Sequence, residues 1–299
     1  MNKPKMIMLC GLSGSGKSSR AEAYKEKGAI VFSSDRYREN MFNDINDQTH
    51  NKEVFVKLHK DLIAALNDGK DVVYDATNLS EKRRKAFLKL LNNIPCQKIL
   101  DIIATPFETC IARDAMRERT VGKDVIIKQM KQFTYPFDED WDKINKIFDD
   151  GGSSNPNLYV NSTLNDTHDT PYHSETISQH MNLCYFLAKK NNEPKVVVDA
   201  CRFHDIGKRF TKTFYNNKKE KTKIAHYYNH ENVSAYIYFC YDFMDLNTLY
   251  LIQNHMKPYS NGYNTWKRKQ KNLFLINVLE RLHIYDIISS IKEVDFQKV

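Results

Sequence analysis

The sequence predicts two domains of different class: an α/β domain on a parallel sheet with helices on both faces over residues 1–152, and an all-α helical bundle over 165–299, joined by a linker at 153–164. Three observations carry this reading. The first half alternates short apolar runs with helical patterns, as a parallel sheet covered by helices requires. The second half places apolar residues at three- and four-residue spacing and lacks strand periodicity. Between them, Asp149-Asp-Gly-Gly-Ser-Ser-Asn-Pro-Asn157 is the densest cluster of turn residues in the chain. The length of 299 residues suits two domains of about 100–200 residues, each able to bury its own core.

In chain order, Lys5–Cys10, Ala29–Ser33, Asp71–Asp75 and Lys98–Ile103 read as strands. Ser18–Lys27, Val54–Leu66 and Glu81–Leu91 read as the helices between and after them. Past the turn cluster, Ile177–Lys190, Lys195–Asp205, Glu231–Asp242, Leu246–His255 and Leu273–Ile291 carry the helical period of a bundle.

Composition excludes several classes. A 41% hydrophobic and 12% aromatic content is too rich for a disordered chain. No apolar run approaches the roughly 18 residues of a membrane span, and Met1–Lys5 leads into a strand rather than a signal peptide. The six cysteines form no CxxC pair, which argues against a disulfide framework and fits a reducing cytoplasm. The net charge of +8, split +3 up to Asp150 and +5 beyond, permits a phosphate-bearing partner without demanding one. Eight of the ten histidines follow the turn cluster.

Gly11-Leu-Ser-Gly-Ser-Gly-Lys17-Ser18 fills every fixed position of GxxxxGK[ST], after a strand and before a helix. Gly11, Ser13, Gly14, Ser15 and Gly16 form a backbone cradle, and the helix opened by Ser18 and Ser19 adds its positive dipole end. Lys17 reaches the β- and γ-phosphates and Ser18 ligates Mg²⁺, so ATP with Mg²⁺ is the expected cofactor.

The carboxyl ends of the strands face the ligand crevice of such a sheet. Asp35, in Ser33-Ser-Asp35-Arg-Tyr-Arg38, is placed there to orient an acceptor hydroxyl and take its proton, with Arg38 one turn on to clamp an acceptor phosphate. The competing reading is an N-cap aspartate followed by surface arginines. Strand three ends in Asp75-Ala-Thr77-Asn78, with Arg83 and Arg84 on the next helix. Arg113 and Arg117, four apart, are expected on one helix face of a lid over the transferring phosphoryl group; a solvated salt-bridged face is the rival reading.

These pieces, in this order, resemble the kinase module of polynucleotide 5′-kinases over about the first 150 residues. The resemblance implies Asp35 as general base, Arg38 on the acceptor's 3′-phosphate, Thr77, Asn78 and Arg83 near the acceptor, and Arg113 and Arg117 on the donor. One departure stands out: the family's phage member has aspartate directly before its Thr-Asn, whereas Ala76 fills that place here and Asp75 stands one earlier.

In the second half His204-Asp205 follows an apolar helical run and precedes Ile206-Gly-Lys208. Alone this dipeptide is a capping pair before Gly207. With His180, His230, His255 and Asp286 on other helices it becomes a hard-to-borderline divalent metal site with positions left for water and substrate. The ordered pattern H…HD…H…H…D resembles the HD phosphohydrolase superfamily from His168 to Val299. The resemblance implies one metal on His180, His204, Asp205 and Asp286, and a second on His230 and His255 with Asp205 bridging. Asp242 and Asp295 are alternative candidates for the last carboxylate. Lys208 is positioned for a non-bridging phosphate oxygen, and His173 and His226 are candidate substrate ligands or general acids.

The two halves together suggest end healing of a broken RNA or DNA strand, single-stranded or nicked. A 5′-hydroxyl is phosphorylated, a 2′,3′-cyclic phosphate or 3′-phosphate is cleared, and a separate ligase seals. Bacterial enzymes fuse the same two modules in the opposite order. The basic loop Lys208–Lys223 and the run Trp266-Lys-Arg-Lys-Gln-Lys271, after Tyr259 and Tyr263, suit a single strand with stacked bases. Two other readings are a kinase and phosphohydrolase pair acting on small nucleotides or nucleosides, and a nucleic-acid-binding protein whose sites are relics.

Overall fold

The computed structural model describes residues 3–45, 47, 49–148 and 152–290. The chain divides into two compact units, Met1–Gln129 with Asp138–Gly152, and Met130–Phe137 with Ser153–Val299.

The first unit carries β1 (Lys5–Cys10), α1 (Lys17–Lys25), β2 (Ile30–Ser33), α2 (Ser34–Phe42), α3 (Asn51–Asn67), β3 (Val72–Asp75), α4 (Glu81–Leu90), β4 (Gln97–Ile103), α5 (Phe107–Ala115), α6 (Lys123–Met130) and β5 (Lys143–Ile147). The sheet runs β2-β3-β1-β4-β5 and every pairing is parallel. Consecutive residues Met6–Cys10 are all buried, so both faces of the central strand are covered, as a parallel sheet demands. α3 buries Val54, Leu58, Leu62 and Leu66, a strict four-residue stripe. Leu9 pairs with Asp75 and Ser33 pairs with Asp75, which brings the ends of three strands to one edge. β5, absent from the sequence reading, is a half-buried edge strand whose Lys-Ile-Asn-Lys-Ile carries a weak apolar signal.

The second unit contains α7 (Pro156–Ser162), α8 (Ile177–Lys190), α9 (Lys195–Phe203), a 3₁₀ turn at Lys208–Phe210, β6 (Thr213–Tyr215), β7 (Lys221–His226), α10 (His230–Phe239), α11 (Leu246–Asn254), α12 (Tyr263–Lys267) and α13 (Leu273–Ile288). α10 is buried over every residue from Val233 to Phe239 and forms the centre of the bundle. Phe133 packs on Tyr236 and Phe239, with ring centroids 5.2 and 5.6 Å away, which ties the 130–137 segment to this core.

Two expectations are corrected here. The linker stretch 153–164 is helical over Pro156–Ser162, because Asn155 accepts from the Asn157 amide and proline sits in the first turn; residues 149–151, where the turn-residue cluster begins, lie outside the described residues. The helical half is not strand-free: the basic loop folds as the antiparallel β6–β7 hairpin. Asn216 closes its turn by accepting from the Lys218 and Glu220 amides, and Lys219 takes the left-handed φ of 63°. No helix of the described residues is long and apolar enough to cross a membrane. All six cysteines are free and buried.

Candidate functional site

At the end of β1 the chain turns into the glycine-rich loop. Gly14 and Gly16 adopt φ of 81° and 91°, which side chains disfavour. A Cβ on Gly14 would also lie 2.3 Å from the Cys110 carbonyl oxygen, so the loop lies directly on α5. Thr105 donates to the Ser15 carbonyl at 2.9 Å and the Gly11 amide donates to the Thr77 carbonyl at 3.1 Å, fixing the loop from the segments that follow β4 and β3. The first amides of α1 have no intrahelical acceptor, and no side chain caps them. Buried Ser15 Oγ also meets no partner. This cradle fits the oxygens of a phosphate chain, with Ser18 at the exposed start of the helix to meet its Mg²⁺. Ser13 is tied instead to Gln129, which accepts from its amide at 2.8 Å and donates to its hydroxyl at 2.9 Å.

Lys17 donates to the Leu12 carbonyl at 2.7 Å. Burial lowers its pKa, opposed by the charge of Asp75. Asp75 is raised by burial, against Lys17 and with Asp35 adding to the rise. The sequence reading left Asp75 without a role, yet it is the carboxylate electrostatically coupled to Lys17. Its signal was the final position of a strand beside β1.

Asp35 sits in the first turn of α2, half exposed. Arg38, 6% exposed, donates to Asp35 Oδ1 at 2.7 Å and to Asn51 Oδ1 at 2.8 Å, and its buried Nε has no partner. Arg119 also approaches Asp35, at 3.8 Å. Three expectations change. Asn78 turns inward: with φ of 45°, its side chain donates to the Leu9 carbonyl at 2.8 Å and braces the sheet. Arg84 is wholly buried on Glu139 and the Asn78 and Leu79 carbonyls, so of the two neighbouring arginines only Arg83 is exposed. Arg113 and Arg117 do not share a helix face, because α5 stops at Ala115, where Asp114 turns back to accept from the Val121 and Gly122 amides.

In the helical unit, six predicted residues converge. His180 comes from α8, His204-Asp205 from the end of α9, His230 from the start of α10, His255 from the end of α11 and Asp286 from α13. Ligand atoms of His180, His204, Asp205 and Asp286 lie within 4.8 Å of one another, as do those of Asp205, His230 and His255. Asp205 therefore belongs to both groups. Asp242 is exposed and elsewhere, and Asp295 lies outside the described residues.

The nitrogens meet as metal ligands do. His180 Nε2 is 3.3 Å from His204 Nε2, and His230 Nε2 is 3.0 Å from His255 Nε2. His204, His230 and His255 each commit Nδ1 to a backbone carbonyl, at 3.1, 2.7 and 2.8 Å, which leaves the Nε2 lone pairs facing one another. Neither oxygen of buried Asp205 accepts a well-directed hydrogen bond; Oδ2 has the Lys208 ammonium at 2.6 Å and Oδ1 has His230 Nε2 at 3.1 Å. Imidazoles and carboxylates so arranged fit one or two borderline divalent ions. Burial disfavours charge on His204, but Asp205 and Asp286 outweigh it and raise its pKa well above that of free histidine, so an ion taking the Nε2 lone pair must displace a proton. Burial likewise opposes ionised Asp205, and Lys208 and His204 overcome it.

Sequence reasoning missed two side chains here. Tyr259 donates to Asp286 Oδ2 at 2.8 Å, and Glu175 lies 3.4 Å from His180 Nδ1. Neither stands at a diagnostic spacing. His173 is brought to the cluster, its ring centroid 4.8 Å from that of His180. His226 is not: it lies on β7, bonded to Thr222 and stacked on Tyr228.

Residues 6–139 match the protein family described as an AAA domain. Among solved structures, a chain of the Pnkp1/Rnl/Hen1 RNA repair complex is 20% identical with a TM-score of 0.39, covering 44% of this chain and 44% of that one. A putative kinase from Chloroflexus aurantiacus is 13% identical with a TM-score of 0.40, over 50% and 86% of the two chains. The APS kinase CysC of Mycobacterium tuberculosis is 21% identical with a TM-score of 0.38, over 50% and 91%. No curated protein matches. The chain thus spans less than half the length of the RNA-repair protein.

Proposed function

We propose a two-site end-healing enzyme: an ATP-dependent kinase of 5′-hydroxyl nucleic-acid ends, and a metal-dependent hydrolase of 2′,3′-cyclic phosphate or 3′-phosphate ends. The observation that carries the second activity is the convergence of five buried imidazole and carboxylate residues on buried Asp205, next to a part-exposed His173. The glycine-rich loop beside Asp35 carries the first.

In the kinase site, the loop amides and Lys17 neutralise the phosphate chain, with Mg²⁺ held at Ser18. Asp35 accepts the proton of the acceptor hydroxyl as phosphate transfers. Arg38, whose Nη atoms are held by Asp35 and Asn51 and whose Nε lacks a partner, offers that N–H to a second acceptor phosphate, which favours a polynucleotide over a nucleoside. Arg113, Arg117, Thr77 and Arg83 complete the donor and acceptor sides in this reading.

In the hydrolase site, His180, His204, Asp205, His230, His255 and Asp286 would hold one or two divalent transition metals. Such ions supply a Lewis acid that brings the pKa of bound water towards neutrality. Lys208, bonded to Asp205, stands ready for an equatorial phosphate oxygen, and Tyr259 fixes Asp286. The basic hairpin and Tyr259 offer charge and a stacking face to a single strand. Sealing falls to a separate ligase.

Labelled ATP offered with a 5′-hydroxyl oligonucleotide, or with mononucleosides, tests the first activity. Label is expected on the oligonucleotide, and label on mononucleosides alone would assign the protein to small substrates. For the second, Asp205→Ala should abolish metal-dependent release from a 2′,3′-cyclic end while label transfer persists; equal loss of both contradicts separate sites.

A further inference from the structure

A second constellation of donors lies outside the Asp205-centred groups. His168, His173 and Glu175 each offer one ligand atom, and the three atoms lie within 4.8 Å of one another. All three come from the segment before α8, folded on itself by bridges between Thr167 and Thr176 and between Thr170 and His173. The two imidazoles stack with centroids 4.0 Å apart and planes 16° from parallel. Glu175 Oε1 stands 2.7 Å from His173 Nδ1.

His168 is built as the ligands of the Asp205 groups are built. Its Nδ1 is 3.0 Å from the Glu175 carbonyl, the bond that His204, His230 and His255 also make through Nδ1. That bond fixes the proton on Nδ1 and leaves the lone pair on Nε2. Yet Nε2 of His168, a residue 1% exposed, is buried and meets no hydrogen-bond partner. Buried polar atoms are nearly always satisfied. A bare imidazole lone pair beside a second imidazole and a carboxylate is the donor arrangement of a cation site.

The geometry points to a third divalent transition-metal ion, held by His168, His173 and Glu175. Three protein ligands leave positions for water or an anionic oxygen. His173, the part-exposed member, marks the open side. Its expected contact with a substrate phosphate is then made through the ion. Glu175 also lies 3.4 Å from His180 Nδ1, while His180 Nε2 lies 3.0 Å from Asp286, so this carboxylate joins the new site to the first group. Binding here goes beyond the hydrolase reading and does not depend on it.

Crystals of the full chain grown with Mn²⁺ would decide the matter by anomalous scattering. A peak at coordination distance from His168 Nε2 is expected. A map with peaks only at the Asp205 groups, or with water or nothing at His168, overturns the site. In solution, His168→Gln and Glu175→Gln should each hold one Mn²⁺ fewer per chain than the natural protein after gel filtration, with unchanged circular dichroism. Equal content in a folded His168→Gln chain overturns the proposal. Should a variant not fold, the anomalous map of the unaltered chain still decides. Ions at His168 but none at Asp205 would sink the hydrolase reading and leave this inference standing.

Discussion

Gly207 and His230 touch where a side chain cannot fit: a Cβ on Gly207 would lie 2.2 Å from the His230 carbonyl oxygen and 2.7 Å from the Ser234 amide. The Gly207 amide also donates to Ser234 Oγ at 2.9 Å. Close approach of the turn after Asp205 to α10 therefore sets the place of His230. Gly207→Ala should push α10 away, at a cost of about 1–3 kcal/mol as overpacking. The expected outcome is a lower melting temperature with lost metal content in the Asp205–His230–His255 group, read by thermal denaturation and mass spectrometry of bound ions. Undiminished metal content would contradict this account of His230.

Asp35→Asn keeps the size of the side chain and removes the carboxylate proposed to act as base. Label transfer to a 5′-hydroxyl oligonucleotide should fall by about 10²–10⁴-fold, the usual worth of a positioned base. Release from cyclic ends should continue at the natural rate. A fall in both would place Asp35 in folding rather than in proton transfer.

Arg84 and Glu139 form an ion pair whose side chains are both wholly buried. Arg84 also holds the Asn78 and Leu79 carbonyls at 2.9 and 2.7 Å, in the turn whose Thr77 carbonyl accepts from Gly11. Glu139→Gln strands the guanidinium, and breaking such a pair costs about 3–5 kcal/mol. Chemical denaturation should register that loss, together with weaker ATP binding. A change under about 1 kcal/mol would mean that Arg84 finds another partner.

His59 packs among Phe55, Tyr74 and Phe87, and burial holds its pKa down to about 4. Below the free-histidine value of 6.5, the unfolded chain gains a proton that the folded one refuses, so stability falls as pH drops from 6.5 to about 4. At about 1.4 kcal/mol per pH unit this one group accounts for about 3 kcal/mol. His59→Phe should flatten that part of the stability curve. Identical slopes in the two proteins would assign the acid sensitivity elsewhere.

The sequence was most legible where chemistry and periodicity coincide. Lys5–Cys10 and Ile177–Lys190 have the limits their apolar patterns suggest, and the six imidazole and carboxylate residues singled out in the second half converge because each stands on or beside a helix of one bundle. What stayed hidden was decided by tertiary contact. Nothing in Ala115–Gly122 announces that Asp114 will accept from two amides and end α5 before Arg117. Asn78 looks like an acceptor ligand until its amide meets the Leu9 carbonyl, a neighbour 69 positions away. Glu175 and His168 carry no diagnostic spacing because their relation to His180 depends on how one short segment folds back.

Lys17, resting on the carbonyl of Leu12, has a consequence for nucleotide capture. A triphosphate enters this loop by exchange, an anionic phosphate oxygen replacing a neutral carbonyl at the ammonium. A charge-assisted bond is about twice as strong as a neutral one, so the carbonyl given up offsets only part of what the phosphate brings. The share that remains grows as negative charge accumulates during transfer, and that growth is what speeds turnover.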